Sequence, residues 1–226
     1  DSFGPTHKLT FEMPILGELP ELSARFDQVT TIDLEGHGTT TRIDGLLKCF
    51  PKLKSLAITR FSLGDIPLTA LSLTELNALS LTESAIHLTP TSVDALSGLR
   101  SLQYLDLGGN LLGLTPDVSL LAELEVLHLQ DTDITEMPRG LFALRELRTL
   151  DLSDNLIEEI PAGFLQLATQ LDAASDLSGN PLSASSLDIL RQYYVQTGDD
   201  LAVAAAGLNA NGNPLVVRGS PVPMEE

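Results

Sequence analysis

The sequence predicts an α/β solenoid of stacked parallel strands joined by short return segments. Three observations predict it. One aliphatic frame recurs along most of the 226-residue chain, each copy alternates apolar and polar residues at its centre, and the best-formed later copies are followed by Pro-led segments. The frame is L-x-x-L-x-L-x-x-N-x-L, and seven copies fit it: Val29-Ile32-Leu34, Leu53-Leu56-Ile58, Leu76-Leu79-Leu81, Leu102-Leu105-Leu107, Leu124-Leu127-Leu129, Leu147-Leu150-Leu152 and a degenerate copy ending at Leu177. From Leu34 through Ile58, Leu81, Leu107, Leu129 and Leu152 to Leu177, the third anchors are 24, 23, 26, 22, 23 and 25 residues apart.

That frame and spacing are those of a leucine-rich repeat. The expected fold is a leucine-rich-repeat horseshoe: a parallel concave sheet, short helices or 3-10 turns on the convex side, an N-terminal cap and a helical C-terminal cap. The L-x-L centre has the period of a short strand buried on one face. The ninth position needs a side chain that satisfies backbone groups where the chain leaves the strand, a task for the amide of Asn110, Asn155 and Asn180. Ser84 and Thr132 substitute partly, whereas His37 and Phe61 cannot imitate an amide, which predicts less regular early turns. Pro138–Leu144 and Pro161–Leu167 follow the apolar anchors Met137 and Ile160 and return the chain as short helices or 3-10 turns. A single repeat buries too little aliphatic surface to offset the backbone entropy of two dozen residues, so neighbours and caps must supply the rest. The organisation expected is an N-terminal cap over 1–26, repeats over 27–182, a capping helix in 183–206 and a tail over 207–226. In the first cap Leu9, Phe11, Ile15, Leu16, Leu19 and Leu22 cover the first repeat. In the second, Leu187, Leu190, Tyr193 and Tyr194 fall at helical spacing ahead of Gly198.

Composition excludes several function classes. With 13 Lys+Arg against 31 Asp+Glu the formal charge is −18, which repels nucleic acid and anionic lipid and favours basic protein surfaces. The longest apolar stretch, Leu201–Leu208, is too short to span a bilayer, and no signal peptide is legible ahead of it. One cysteine forbids an internal disulfide and a cysteine-rich zinc site. His7, His37, His87 and His128 form no H-x-x-x-H pair, and Asp131–Glu136 lacks the glycine turn and distal acid of a calcium loop. Gly36-His-Gly38 and Gly108-Gly109 lack a phosphate-loop fingerprint and sit at repeat turns. Cys49, flanked by Leu47, Phe50 and Leu53, is expected as buried filler. No catalytic, metal or cofactor-binding residue is therefore expected.

The runs Leu147–Pro161 and Asp176–Ser183, followed by Leu190-Arg-Gln-Tyr-Tyr-Val-Gln-Thr-Gly198, resemble the repeat domain and C-cap of bacterial NEL-type effector ubiquitin ligases, most of all their large, toxin-like members. The resemblance covers roughly residues 19–200. It implies a chain secreted by bacteria into the host cytoplasm, repeats that recognise a target and restrain a separate C-terminal catalytic domain, and ubiquitin transfer by that domain through a C-x-D cysteine. Cys49 is followed by Phe50 and Pro51, so that role does not carry onto it.

Residues between the inward leucines line the concave face. The fifth repeat position gives Asp33, Ala57, Ser80, Asp106, His128, Asp151 and Asp176, and the third gives Thr31, Ser55, Ala78, Tyr104, Val126 and Thr149. The expected partner site is Tyr104, Asp106, Val126, His128, Gln130, Asp131, Arg148 and Asp151, taking a basic or mixed protein surface. Asp106 and Asp151 flank His128 and favour its protonated form. The function expected is substrate recognition by a monomeric module of a ligase whose catalytic domain lies outside this chain. The alternative is a stand-alone scaffold or adhesion protein.

Overall fold

A computed structural model describes residues 8–11, 23–38, 42–199 and 201–202. Seven strands form one parallel sheet in chain order: β1 (Lys8–Phe11), β2 (Thr31–Glu35), β3 (Ser55–Thr59), β4 (Ala78–Thr82), β5 (Tyr104–Asp106), β6 (Val126–His128) and β7 (Thr149–Asp151). The register aligns the repeat frame residue for residue, pairing Ile32 with Leu56, Leu56 with Leu79, Leu79 with Leu105, Leu105 with Leu127 and Leu127 with Leu150. These leucines and isoleucines are fully buried, and most of the residues alternating with them are half-exposed on the other face. One continuous core runs from Ile32 to Leu201.

Both ends depart from the regular repeat. Leu9 and Phe11, assigned to a cap, stand in a strand that extends the sheet past the first repeat through pairing with β2. Ile15, Leu16, Leu19 and Leu22 of that cap, and the 207–226 tail, lie outside the described residues. At the other end the seventh copy has Asp172 and Ser175 where leucines belong, and it joins the sheet only through a bridge from Asp151 to Asp176.

The opposite side carries the return segments: α1 (Asp44–Leu47), α2 (Leu68–Leu71), α3 (Pro90–Leu96), a 3-10 turn at Leu141–Ala143 and α4 (Phe164–Ala168). The last two fall in the Pro-led segments predicted to hold them. Among the described helices only α3 has a full capping box, in which the Thr89 and Ser92 side chains each accept from the other's backbone N–H. The terminal helix α5 (Ala184–Thr197) is capped by the Ser183 hydroxyl and stopped by Gly198 at φ 76°. Leu190 and Tyr193 turn inward, and Tyr193 donates to the Ala168 carbonyl.

The turn leaving each strand is built on two rules. The eighth position is left-handed in six successive repeats: Arg60, Glu83, Gly109, Asp131, Asp154 and Gly179. Arg60 shares this geometry, so the turn before Phe61 follows the common path; Gly36 admits the Phe61 ring, which would collide with a Cβ there. The ninth position then bonds backward. Asn110 accepts from Ser84 and Ile86 N–H through Oδ1 and donates through Nδ2 to the Leu81 and Leu107 carbonyls. Asn155 does the same for Thr132, Ile134, Leu129 and Leu152.

Two outcomes follow for urea unfolding. Asn155→Ala strands several buried backbone groups and costs about 2–4 kcal/mol, whereas the half-exposed Asn180 costs less when changed to Ala. Glu83→Gly relieves an exposed non-glycine residue at φ 49° and raises stability by about 0.5–1 kcal/mol; a loss instead would show that the turn is not strained.

Candidate functional site

The sheet face between β5 and β7 brings together five of the eight residues singled out in the sequence. Tyr104 and Asp106 on β5 stand beside Val126 and His128 on β6, in register Tyr104 with Val126 and Asp106 with His128, and Asp151 on β7 lies opposite His128. The Tyr104 hydroxyl donates to Asp106 Oδ2 at 3.2 Å and lies 3.5 Å from His128 Nδ1. The two rings meet edge to face, with centroids 5.6 Å apart. Burial, then the charge and hydrogen bond of Asp106, push the Tyr104 phenol up to about 12, so it stays a neutral donor.

The acidic column proves partly structural. Asp106 is only 8% exposed, which corrects its assignment as an acid presented to a partner: Oδ1 accepts from its own turn at Gly108 N–H, and Oδ2 faces Tyr104 and His128. Asp151 and Asp176 clip the Ser153 and Ser178 N–H groups in the same manner. Each aspartate thus spends one oxygen terminating its own strand, as Asx turns do. The repeated Asp-Leu-Gly and Asp-Leu-Ser triplets are the sequence feature that encodes these clips.

The remaining three residues surround the cluster. Gln130 lays its amide against Gly108, where a Cβ would collide with it, and Gln130 Oε1 is buried without a hydrogen-bond partner among the described residues. Asp131 is exposed in the left-handed turn beyond β6. Arg148 is exposed at the far end of β7, 3.9 Å from Glu146. Asp172 was missed because it occupies a leucine position; it accepts from the Thr149 hydroxyl at 2.6 Å and adds its charge to the field at His128. An acid where the frame demands leucine was the available sign.

Asp106, with Oδ2 3.9 Å from Nδ1, raises the His128 pKa above its ordinary 6.5, against a smaller lowering by burial, and Asp151 and Asp172 raise it further. Among the described residues no group of three or more His, Cys, Asp or Glu side chains is placed to hold a metal ion, and none of the helices is long and apolar enough to cross a membrane. Cys49 is buried, and its thiol lies 3.6 Å from the Gly45 carbonyl. Asp131 and Asp133 occupy left-handed turn positions.

The fold is that of a leucine-rich-repeat solenoid, with a sheet face on one side and return segments on the other. A leucine-rich-repeat family model matches residues 122–182. Solved structures of the same fold include a leucine-rich-repeat protein of Leptospira interrogans, with TM-score 0.52 and 22% identity over 75% of this chain and 54% of that one. An internalin of Listeria monocytogenes matches with TM-score 0.55 and 18% identity, over 74% of this chain and 53% of that one. A plant peptide hormone receptor solved in complex with RGF2 matches with TM-score 0.54 and 20% identity, over 75% of this chain and 27% of that one. The chain thus spans about half the length of the first two. No curated protein sequence matches it.

The His128 site has a pH signature. Its pKa is raised in the folded chain, so its contribution to stability is complete below the unfolded value, about 6.5, and is lost as pH rises through the folded value. His128→Gln removes that segment of the stability–pH curve, measured by urea midpoints between about pH 5 and 9. An unchanged slope in the variant would show that Asp106 and His128 are not coupled.

Proposed function

We propose that the chain is a protein-interaction module that holds a partner on the sheet face, centred on Tyr104, Val126 and His128 and rimmed by Gln130, Asp131, Arg148 and Asp151. The observation that carries this reading is the Tyr104–His128–Asp106 cluster. It fixes an aromatic side chain by hydrogen bonding and edge-to-face contact on a half-exposed surface, so binding orders it at little further entropic cost. The partner surface is basic or mixed, as the −18 charge of the chain favours.

Within that reading, the module serves substrate recognition in a secreted bacterial effector ubiquitin ligase whose catalytic domain lies outside these residues. Support comes from the run Leu190–Gly198, which resembles the C-cap of the NEL-type ligases and here forms the second half of α5 with its glycine stop. A stand-alone scaffold or adhesion role is the second reading, favoured by the likeness in fold to an internalin.

The test is quantitative capture of a purified partner by the full chain and by the Tyr104→Ala/His128→Ala variant. The variant is expected to bind at least about tenfold more weakly with the same α/β circular dichroism. Undiminished capture overturns the sheet-face site. In a parent protein carrying a C-x-D domain, the same double change is expected to abolish target ubiquitination while leaving free ubiquitin-chain formation intact; loss of both would contradict a recognition role.

A further inference from the structure

On the side of the solenoid away from the sheet, the repeats are unequal. The spacing before Leu107 is 26 residues and the spacing after it is 22. The longer repeat spends its extra residues on α3, whereas the shorter one crosses without a helix, its Val118 N–H donating to the Arg139 carbonyl. The surface steps down at this junction and leaves a groove of about 300 Å³ across three successive repeats, between α3, the Leu114–Asp117 segment and the Glu136–Arg139 segment.

The groove has an apolar floor and an acidic rim. Val93 is packed on the core from α3, and Leu114 is 40% exposed. Asp94, Asp117 and Glu136 surround them with Arg139 as the lining cation. Asp117 is engaged by the Ser119 N–H. Among the described residues, no hydrogen bond or ion pair reaches the carboxylates of Asp94 or Glu136, so both remain open to a cation.

We propose that this groove is a second docking site, taking a short protein segment that seats an aliphatic side chain on Val93 and Leu114 and reaches Asp94 and Glu136 with a neighbouring lysine or arginine. Charge complementarity selects this occupant. A nucleic acid, an anionic lipid surface or a second copy of a chain of charge −18 would bring negative charge to a negative rim. An uncharged apolar ligand would leave the open carboxylates unused, and the open trough suits a peptide better than an enclosed small molecule. The site is independent of the sheet-face reading, because the leucine core lies between the two surfaces.

The test pans a displayed library of random 12-residue peptides against the full chain and measures the winning synthetic peptides by calorimetry. Enriched peptides are expected to carry Lys or Arg beside Leu, Ile, Met or Val. They are expected to lose about tenfold in affinity to L114D and to D94N/E136Q while binding Y104A/H128A normally. D94N/E136Q changes only surface groups and keeps the test valid where L114D fails to fold. No enrichment, a consensus without basic residues, or binding that survives D94N/E136Q overturns the proposal. Binding lost instead in Y104A/H128A assigns the peptides to the sheet face and overturns it as well. Concentration-dependent dimerisation abolished by either groove variant gives the groove to a second copy, with the same consequence.

Discussion

Every coil of this molecule must turn its backbone inside a hydrocarbon interior, and the rest of the structure depends on how the ninth repeat position answers that demand. A chain leaving a parallel strand abandons the ladder, so its next N–H and C=O groups meet leucine side chains instead of partners. Asn110, Asn155 and Asn180 resolve this by serving two coils at once: the amide oxygen takes N–H groups of the coil before, and the amide nitrogen feeds carbonyls of both. Bonds that cross coils make the turn of one repeat conditional on the presence of the next. The polar ladder therefore enforces the same nearest-neighbour dependence as the aliphatic stack.

Where another residue holds that position, the chemistry shifts in a way its donor inventory explains. The Ser84 hydroxyl reaches both coils but has one proton where the amide has two; it accepts from Phe61 N–H and donates to the Thr82 carbonyl, with the Ile58 carbonyl of the coil before at 3.4 Å, while its own N–H is taken by Asn110. Thr132 bonds the Leu129 carbonyl and Asn155, and the coil before it compensates by sending Leu112 N–H to the Thr132 carbonyl. Phe61 contributes no polar group. Its ring instead fills the turn over Gly36, with its backbone N–H passed to Ser84.

The aliphatic frame made the sheet, its order and the inward residues legible, because period-two burial leaves one consistent assignment for each leucine. Hydrogen bonding on the open face was less legible. Alternation places Asp106, Asp151 and Asp176 on that face but does not disclose that each spends an oxygen on its own turn two residues later. These three aspartates act as strand terminators, and β5 and β7, which carry two of them, are three residues long where β2 to β4, with Asp33, Ala57 and Ser80 at that position, run to five. Asp172 escaped for a related reason, since its partner Thr149 comes from the adjacent coil and cannot be derived from the frame of a single repeat.

The C-terminal end shows why a stack of this kind stops. An eighth coil would need leucines to receive the apolar face of the seventh and backbone groups to continue its ladder. The seventh coil already substitutes Ser175 for a leucine, and that hydroxyl accepts the Leu150 N–H that a regular strand would have sent to a carbonyl. Beyond it, α5 closes the interior with Leu190 and Tyr193, the Ser186 hydroxyl accepts the Ile160 N–H and donates to the Glu158 carbonyl, and the chain returns so that the Leu201 carbonyl takes the Leu177 N–H. The last coil is thus satisfied by a helix and a turn in place of another strand. A cap that supplied only apolar cover would leave those donors and acceptors stranded, so the serines of α5 matter to its closing role as much as its leucine and tyrosine do.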